Sequence, residues 1–189
     1  MSPTDTSEKG LETLIVESLV NEAGYVQGTN DDYSREHVID LARLRMFLEA
    51  TQSETAEALA LDQDCPKRTQ FLHRLDAEIA KRGVIDVLRK GLKHGPISLE
   101  LFYGRPTPGN TRAVELHRAN IFSVTRQLRY SQDETQLALD LGLFINGLPV
   151  ATFELKNSLT KKTVDSLEPL EEDIADSVID DEEPVNDFE

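Results

Sequence analysis

The stretch from Leu137 to Asn157, LALDLGLFINGLPVATFELKN, constrains the fold more than any other part of the chain. Apolar and polar residues alternate on both sides of the Asn-Gly pair at 146–147. Such alternation is typical of half-buried strands, and Asn-Gly is typical of a hairpin turn. Glu154 and Lys156 are two positions apart, so a strand presents both on one face. The stretch therefore predicts a β-hairpin with Asp140, Glu154 and Lys156 on its polar face.

The register of this hairpin follows from its apolar pattern. The apolar faces of the two strands coincide only if the numbers of paired residues sum to an even value. A two-residue loop would pair Ile145 with Leu148, which is an odd sum, whereas a three-residue loop pairs Ile145 with Pro149. We therefore expect the three-residue loop, which places Asp140 opposite Glu154.

Two facing carboxylates are typical of a site for a hard divalent cation. Mg²⁺ is the expected ion, with Mn²⁺ or Ca²⁺ as substitutes, and the backbone carbonyl of Leu155 is a candidate third ligand. Such an ion polarises a phosphoryl oxygen and acidifies a bound water, while Lys156 can orient the water or stabilise developing charge. The hairpin thus indicates phosphodiester hydrolysis. The alternative interpretation is an ordinary amphipathic hairpin, since the E-x-K spacing is common.

The composition limits the class of partner. The formal net charge of −15 over 189 residues argues against a chain that binds DNA or a membrane unaided. A single cysteine excludes an internal disulfide, and neither a signal peptide nor a membrane-spanning run is present in the sequence. No phosphate-binding P-loop motif occurs, so we expect this chain not to bind ATP. These features predict a soluble, cytoplasmic protein.

The order of predicted elements is that of an α+β fold with a mixed or antiparallel sheet. A helical insert at about 34–92 holds His37 and His73, which lack metal-ligand spacing and are interpreted as structural or exposed. The nuclease-like domain is expected to span 1–165, followed by a poorly ordered acidic tail, 166–189. The predicted helices are 7–23, 34–52, 53–60 and 67–90, with a possible break at Gly83, and the predicted strands are 97–103, 120–130 and the hairpin.

Three blocks resemble the restriction (R) subunit of type I restriction–modification enzymes. The hairpin stretch LDLGLFINGLPVATFELKN resembles the nuclease core of that subunit. RANIFSVTRQL, from Arg118 to Leu128, resembles its R-x-N-x-F-x-V-x-x-Q strand, and the first helix, ending in Gly24-Tyr25, resembles its opening helix. The three blocks occur in the family's order and cover about residues 7–165.

The resemblance implies the endonuclease domain of a type I site-specific deoxyribonuclease with a PD-(D/E)xK fold, a mixed central sheet flanked by helices. The implied activity is Mg²⁺-dependent cleavage of double-stranded DNA. In the full-length subunit this cleavage is coupled to ATP-dependent translocation of DNA. The implied partners are the methyltransferase and specificity subunits, and the latter reads the DNA sequence.

The resemblance also implies roles for individual residues. Asp140 and Glu154 match the metal-binding carboxylates and Lys156 the catalytic lysine. Glu12 matches a helix glutamate that borders the site, with Glu17 as the alternative if the helix alignment is shifted by one turn. Three further residues are expected on a strand beside the site, where they contact substrate phosphate or support the sheet: Arg118, Asn120 and Gln127.

Some family features differ in this sequence. The stretch Ser158–Leu167 contains neither Gln nor Tyr, although the family has a helix with a Q-x-x-x-Y motif there, and no translocase sequence follows. The chain is therefore expected to be an N-terminal piece of the subunit or a short homologue. Two alternatives remain: a catalytically silent module that docks on partners or mimics DNA, and a stand-alone repair-type nuclease of the same fold.

Overall fold

A computed structural model describes residues 8–131 and 137–156, so the predicted tail 166–189 lies outside the described residues. The architecture below is that of the compact unit that ends at Lys156. Its helices are α1 (Glu8–Asn21), α2 (Leu41–Thr51), α3 (Ser53–Leu59), α4 (Pro66–Arg82), α5 (Val84–Lys90) and α6 (Thr111–Arg118). Its strands are β1 (Val26–Gln27), β2 (Tyr33–Ser34), β3 (Ile39–Asp40), β4 (Leu92–His94), β5 (Ile97–Leu99), β6 (Phe122–Arg129), β7 (Ala138–Ile145) and β8 (Leu148–Phe153).

The main sheet is mixed, with strand order β1-β6-β7-β8. β1 runs parallel to β6, whereas the β6–β7 and β7–β8 pairs are antiparallel. The short pairs β2–β3 and β4–β5 form separate two-stranded sheets. The predicted α+β class with a mixed sheet is confirmed. Among the described residues no helix is both long and apolar enough to cross a bilayer.

Both faces of β7 are covered. Leu141 packs with Val16 of α1 and Val124 of β6 in one apolar cluster. Phe144 points to the opposite face and packs with Tyr33 and Leu128 in another. The alternation in the sequence predicts a single apolar face, with Phe144 on the polar side, and the structure differs on this point. Burial on both faces fixes β7 firmly, and with it the position of Asp140.

The helical insert has its own apolar core. Phe47, Phe71 and Leu75 are fully buried there, and Leu148 of β8 joins the same cluster. The predicted break of the long helix at Gly83 is confirmed, because α4 ends at Arg82 and α5 begins at Val84. Gly83 has φ 79° and ψ 152°, a backbone conformation that is essentially restricted to glycine.

The predicted helix from Ser34 was wrong over its first turns. That segment forms β2 and β3, and α2 begins only at Leu41. The Asp40 carboxylate caps α2 by accepting a hydrogen bond from the Arg43 N–H at 3.0 Å. Val38 has φ 55°, which a β-branched residue rarely adopts and which no helix can include.

Asp40 should make stability depend on pH. The residue is only 1% exposed, and burial raises the pKa of its carboxyl group. The folded state therefore holds a proton that the unfolded state releases, and stability falls as pH rises between the two pKa values. Asp40→Asn retains a capping oxygen but cannot ionise. We expect this variant to gain urea resistance over wild type at pH 7, with a difference that shrinks near pH 4. Identical pH profiles for the two proteins would contradict this assignment.

The region before β6 also differs from prediction. β5 ends at Leu99, and its partner β4 was not predicted. Residues 111–118 form helix α6, which was not predicted either; the side chain of Asn110 caps it by accepting from the Ala113 N–H at 3.0 Å. Arg118 is the last residue of this helix, and β6 begins at Phe122.

The hairpin has a two-residue turn, so the predicted three-residue loop was wrong. Ile145 pairs with Leu148, and Asn146 and Gly147 have φ 50° and 84°, as a tight hairpin turn requires. The register then shifts at a β-bulge, and Leu141 pairs with Phe153, which is an even sum. The pairing of the two strands ends there, because β8 ends at Phe153, so the predicted opposition of Asp140 and Glu154 stays a prediction. The predicted even-sum register is thus reached by a bulge rather than by a longer loop.

Candidate functional site

Asp140 lies near the start of β7 and is held at both carboxylate oxygens. Its Oδ2 accepts a hydrogen bond from the backbone N–H of Leu155 at 2.6 Å. Its Oδ1 accepts one from Nε2 of Gln127 at 3.2 Å. The Leu155 side chain packs in the cluster beneath α1. The segment that follows β8 is therefore fastened directly to the Asp140 carboxylate.

Glu154 and Lys156 flank Leu155 in this fastened segment. β8 ends at Phe153, so both residues follow the strand instead of lying within it as predicted. Both are exposed, and no hydrogen bond or ion pair joins either of them to another residue of the described ranges. The carboxylate and the ammonium are thus available to solvent and to a ligand, beside a carboxylate that is already fixed.

Glu12 reaches the same site from α1. It is 4% exposed, and its Oε1 accepts from Nε of Arg126 at 2.5 Å. Its Oε2 accepts from Nε2 of Gln127 at 2.8 Å, so the Gln127 amide group bridges Glu12 and Asp140. Glu17 is exposed on α1 and has no part in these contacts. The structure therefore places Glu12, and not the alternative Glu17, beside the predicted site.

Gln127 has a left-handed backbone within β6, with φ 46°. The ladder passes from Arg126–Leu141 to Leu128–Leu139, so Gln127 has no partner across it. The Asn30 side chain supplies hydrogen bonds to the backbone of β6 at this point. Its Nδ2 donates to the Gln127 carbonyl at 3.1 Å, and its Oδ1 accepts from the Arg129 N–H at 2.9 Å. A left-handed residue other than glycine costs about 1–3 kcal/mol and is typical of functional sites. Here it accompanies a side chain that bridges two carboxylates.

An open cleft of about 610 Å³ lies against this network. Arg126 also donates from Nη2 to Oγ1 of Thr13 at 3.1 Å, which ties β6 to α1 along the cleft wall. The wall therefore combines acidic groups with two cationic side chains. The lining residues are Glu8, Lys9, Glu12, Arg126, Gln127 and Asp140.

Two of the predicted substrate-binding residues do not lie on a strand. Arg118 ends α6 and is exposed, and no contact joins it to Asp140 within the described ranges. The Asn120 amide group is fully occupied: Nδ2 donates to the carbonyls of Tyr103 and His117 at 2.7 and 2.8 Å, and Oδ1 accepts from the Tyr103 N–H and from Nδ2 of Asn146. Of the two roles expected for Asn120, these contacts favour support of the sheet.

Sequence reasoning missed Arg126 and Asn30. Arg126 lies next to Gln127 in the block that carries the family resemblance, but nothing in its spacing separates it from any exposed strand arginine. Asn30 belongs to a loop that is about a hundred positions away from β6 in sequence. Its role depends on the parallel pairing of β1 with β6, which the pattern of that loop does not predict.

The fold and the site together define an α+β domain with an acidic site on a mixed sheet. A family model described as "Type I restriction enzyme R protein N terminus" matches residues 5–178 of the 189 residues. The chain therefore belongs to this family, which confirms the resemblance and sets it in the context of DNA-acting restriction enzymes. No curated protein and no solved structure matches the chain.

Proposed function

We propose that this chain is the endonuclease domain of a type I restriction enzyme R subunit, with the PD-(D/E)xK arrangement. The proposed reaction is Mg²⁺-dependent hydrolysis of phosphodiester bonds in double-stranded DNA. One observation carries the proposal: the Asp140 carboxylate is fixed by Gln127 and by the backbone N–H of Leu155, the residue that the exposed Glu154 and Lys156 flank in sequence.

The donor groups fit a hard divalent cation. From the residues that the structure describes, each Asp140 oxygen accepts a single hydrogen bond, and a carboxylate offers about four acceptor sites in total. Both oxygens therefore retain capacity for an ion. Asp140, Glu154 and the Leu155 carbonyl would hold Mg²⁺ through oxygen atoms alone, as this ion requires, and Mn²⁺ could replace it.

The protein groups prepare the site for hydrolysis. When bound, Mg²⁺ polarises a phosphoryl oxygen and lowers the pKa of a coordinated water. Gln127 and the Leu155 N–H hold the Asp140 carboxylate in one orientation, which reduces the reorganisation needed during reaction. Lys156 places a positive charge where negative charge develops on the phosphate. Glu12 acts through Gln127 and is a positioning residue.

The net charge of the chain implies that partner subunits contribute to DNA binding. A net charge of −15 opposes binding to the DNA backbone, so the methyltransferase and specificity subunits supply most of the affinity and the sequence recognition. ATP-dependent translocation belongs to the full-length subunit, because no P-loop motif occurs in this sequence. Exposed Arg118 remains a candidate contact to phosphate.

Lys156→Met should separate metal binding from catalysis. We expect nicking of supercoiled plasmid to fall by about 10²-fold or more, since a group that stabilises charge in the transition state is lost. Mg²⁺ affinity, measured by calorimetry, should stay at the wild-type value. Lys93→Met, at an exposed position on β4, is the matched control and should change neither quantity.

The nicking assay is performed with the chain alone and with the methyltransferase and specificity subunits present. Nicking by Lys156→Met at the wild-type rate would exclude the proposed role of this lysine.

The strong negative charge favours a second candidate, a non-catalytic module that docks on partner subunits or mimics DNA. Co-purification with those subunits, together with an absence of Mg²⁺ binding and of nicking in wild type, would support that candidate.

A further inference from the structure

The helical insert brings together two histidines that are far apart in sequence. His37 lies between β2 and β3, whereas His73 and Asp76 lie on α4, three positions apart and thus on one face. The two imidazole rings are 5.5 Å apart between centroids, at an interplanar angle of 82°. A ligand atom from each of the three residues lies within 4.8 Å of the others. The sequence spacing gave no indication of this cluster.

The surroundings of His37 are anionic and fixed. The residue is 8% exposed, and its Nδ1 lies 2.5 Å from Oδ2 of Asp76. Its Nε2 lies 3.9 Å from Oε2 of Glu36. The next residue, Val38, has the left-handed φ of 55°, which is strained for a β-branched side chain. The fold thus holds a buried imidazole between two carboxylates, next to a strained backbone.

We propose that His37, His73 and Asp76 form a binding site for one Zn²⁺ ion. Two imidazole nitrogens and one carboxylate oxygen are a donor set that Zn²⁺ prefers, with a water in the fourth position. Ligand atoms around tetrahedral Zn²⁺ lie roughly 3.4 Å from one another, given bonds of about 2.0–2.2 Å. The present spacing therefore requires side-chain shifts of about 1 Å: the 2.5 Å contact of His37 with Asp76 must widen, which the partly exposed Asp76 can do, and the exposed His73 can adjust to the ion.

The site is separate from the hairpin carboxylates in position and in chemistry. Mg²⁺ favours oxygen ligands and loses its waters reluctantly, so two imidazoles select against it. The ion would link the loop that contains His37 to helix α4. In its absence, His37 contacts His73 and Asp76 of that helix. The bound ion therefore acts as a clamp on the insert, and its occupancy raises the thermal stability of the chain by mass action.

The test is a Zn²⁺ titration of the full, metal-free chain in the presence of a competing chromogenic chelator and excess Mg²⁺. We expect one Zn²⁺ per wild-type chain and a higher melting temperature in its presence. His73→Ala should weaken Zn²⁺ binding by about tenfold or more, and Asp76→Asn should also weaken it. His73 is exposed, so its replacement should preserve the fold, which circular dichroism checks.

Two control variants locate the ion. His94→Gln changes a histidine outside the cluster and should leave Zn²⁺ affinity unchanged. Asp140→Asn should retain Zn²⁺ binding, since the hairpin carboxylate has no part in this site. Co²⁺ replaces Zn²⁺ in a parallel experiment, in which the visible spectrum of wild type should show coordination by imidazole. Absence of Zn²⁺ uptake, absence of the Co²⁺ spectrum, or unchanged affinity in His73→Ala would each overturn the proposal.

Discussion

Asp140→Asn is expected to abolish measurable Mg²⁺ binding at the hairpin and to lower plasmid nicking by about 10²-fold or more. The substitution preserves the shape of the side chain but removes one of two negative charges. It also replaces one oxygen by an amide nitrogen, which is not a ligand for Mg²⁺. The remaining oxygen can still accept a hydrogen bond from Leu155 or from Gln127, so the fold should be retained. Calorimetry and the nicking assay measure the two effects.

Two further variants test whether the lost Mg²⁺ binding belongs to the hairpin site. Glu154→Gln removes the second carboxylate proposed to hold the ion and should reproduce the loss of Mg²⁺ binding. Asp62→Asn neutralises an exposed carboxylate in the helical insert and should bind Mg²⁺ as wild type does. Wild-type Mg²⁺ affinity in Asp140→Asn would show that the ion binds elsewhere, and the proposed site would have to be abandoned.

Gly147→Ala is expected to destabilise the fold by at least about 3 kcal/mol. Gly147 has φ 84°, and a Cβ atom there would lie 2.3 Å from the Asp40 carbonyl oxygen and 2.7 Å from the Leu44 backbone nitrogen. These neighbours are backbone atoms at the start of α2, so they cannot move aside as a flexible side chain would. The Gly147 carbonyl also accepts a hydrogen bond from the Asp40 N–H at 2.8 Å, which any displacement would lengthen.

The matched control for this substitution is Gly24→Ala. Gly24 follows α1 and has a similar φ of 73°, but a Cβ atom added there would meet no other part of the described chain within 4 Å. We expect this substitution to cost about 1–2 kcal/mol, which is the left-handed penalty alone. Urea unfolding measures both variants. Equal losses at the two positions would show that the close approach of the hairpin tip to α2 contributes nothing to stability.

The register at the open end of the hairpin, with Leu141 opposite Phe153, could be predicted because it depends on local alternation. The side-chain period of a strand is two, so the apolar positions alone determine which residues share a face. The loop could not be predicted from the same rule. The Asn-Gly pair favours a two-residue turn, and the apolar parity favours an odd loop. The chain satisfies both requirements by a register shift after Leu143, which neither signal specifies on its own.

The helix predicted from Ser34 failed because tertiary contacts decide that segment. The apolar spacing of Val38, Leu41 and Leu44 is compatible with a helix that begins earlier. In the fold, however, the Leu41 N–H donates to the Asp32 carbonyl at 3.1 Å, while the Asp40 N–H is bound by the hairpin tip. These partners are distant or lie in loops, so helical periodicity contains no information about them.

The candidate site shows the same division. Spacing along the hairpin predicts the grouping of Asp140, Glu154 and Lys156, and the structure describes the hydrogen bond from the Leu155 N–H to Asp140. The contact between Glu12 and Arg126 spans 114 positions, and the one between His37 and Asp76 spans 39. Contacts of this kind require the packing of α1 on the sheet and the folding of the insert. Glu12 was predicted as a site residue only from the family resemblance.

The bulge in β8 makes Val150 an extra residue, since Phe144 pairs with Pro149 and Leu143 with Ala151. Deleting Val150 would close the ladder and leave Leu141 opposite Phe153, so Leu155 would keep its side. Deleting Thr152 instead would turn Leu155 toward solvent and direct Glu154 and Lys156 at the apolar side beneath α1. Beyond the bulge, an engineered insertion that keeps each of these side chains on its side must therefore contain an even number of residues.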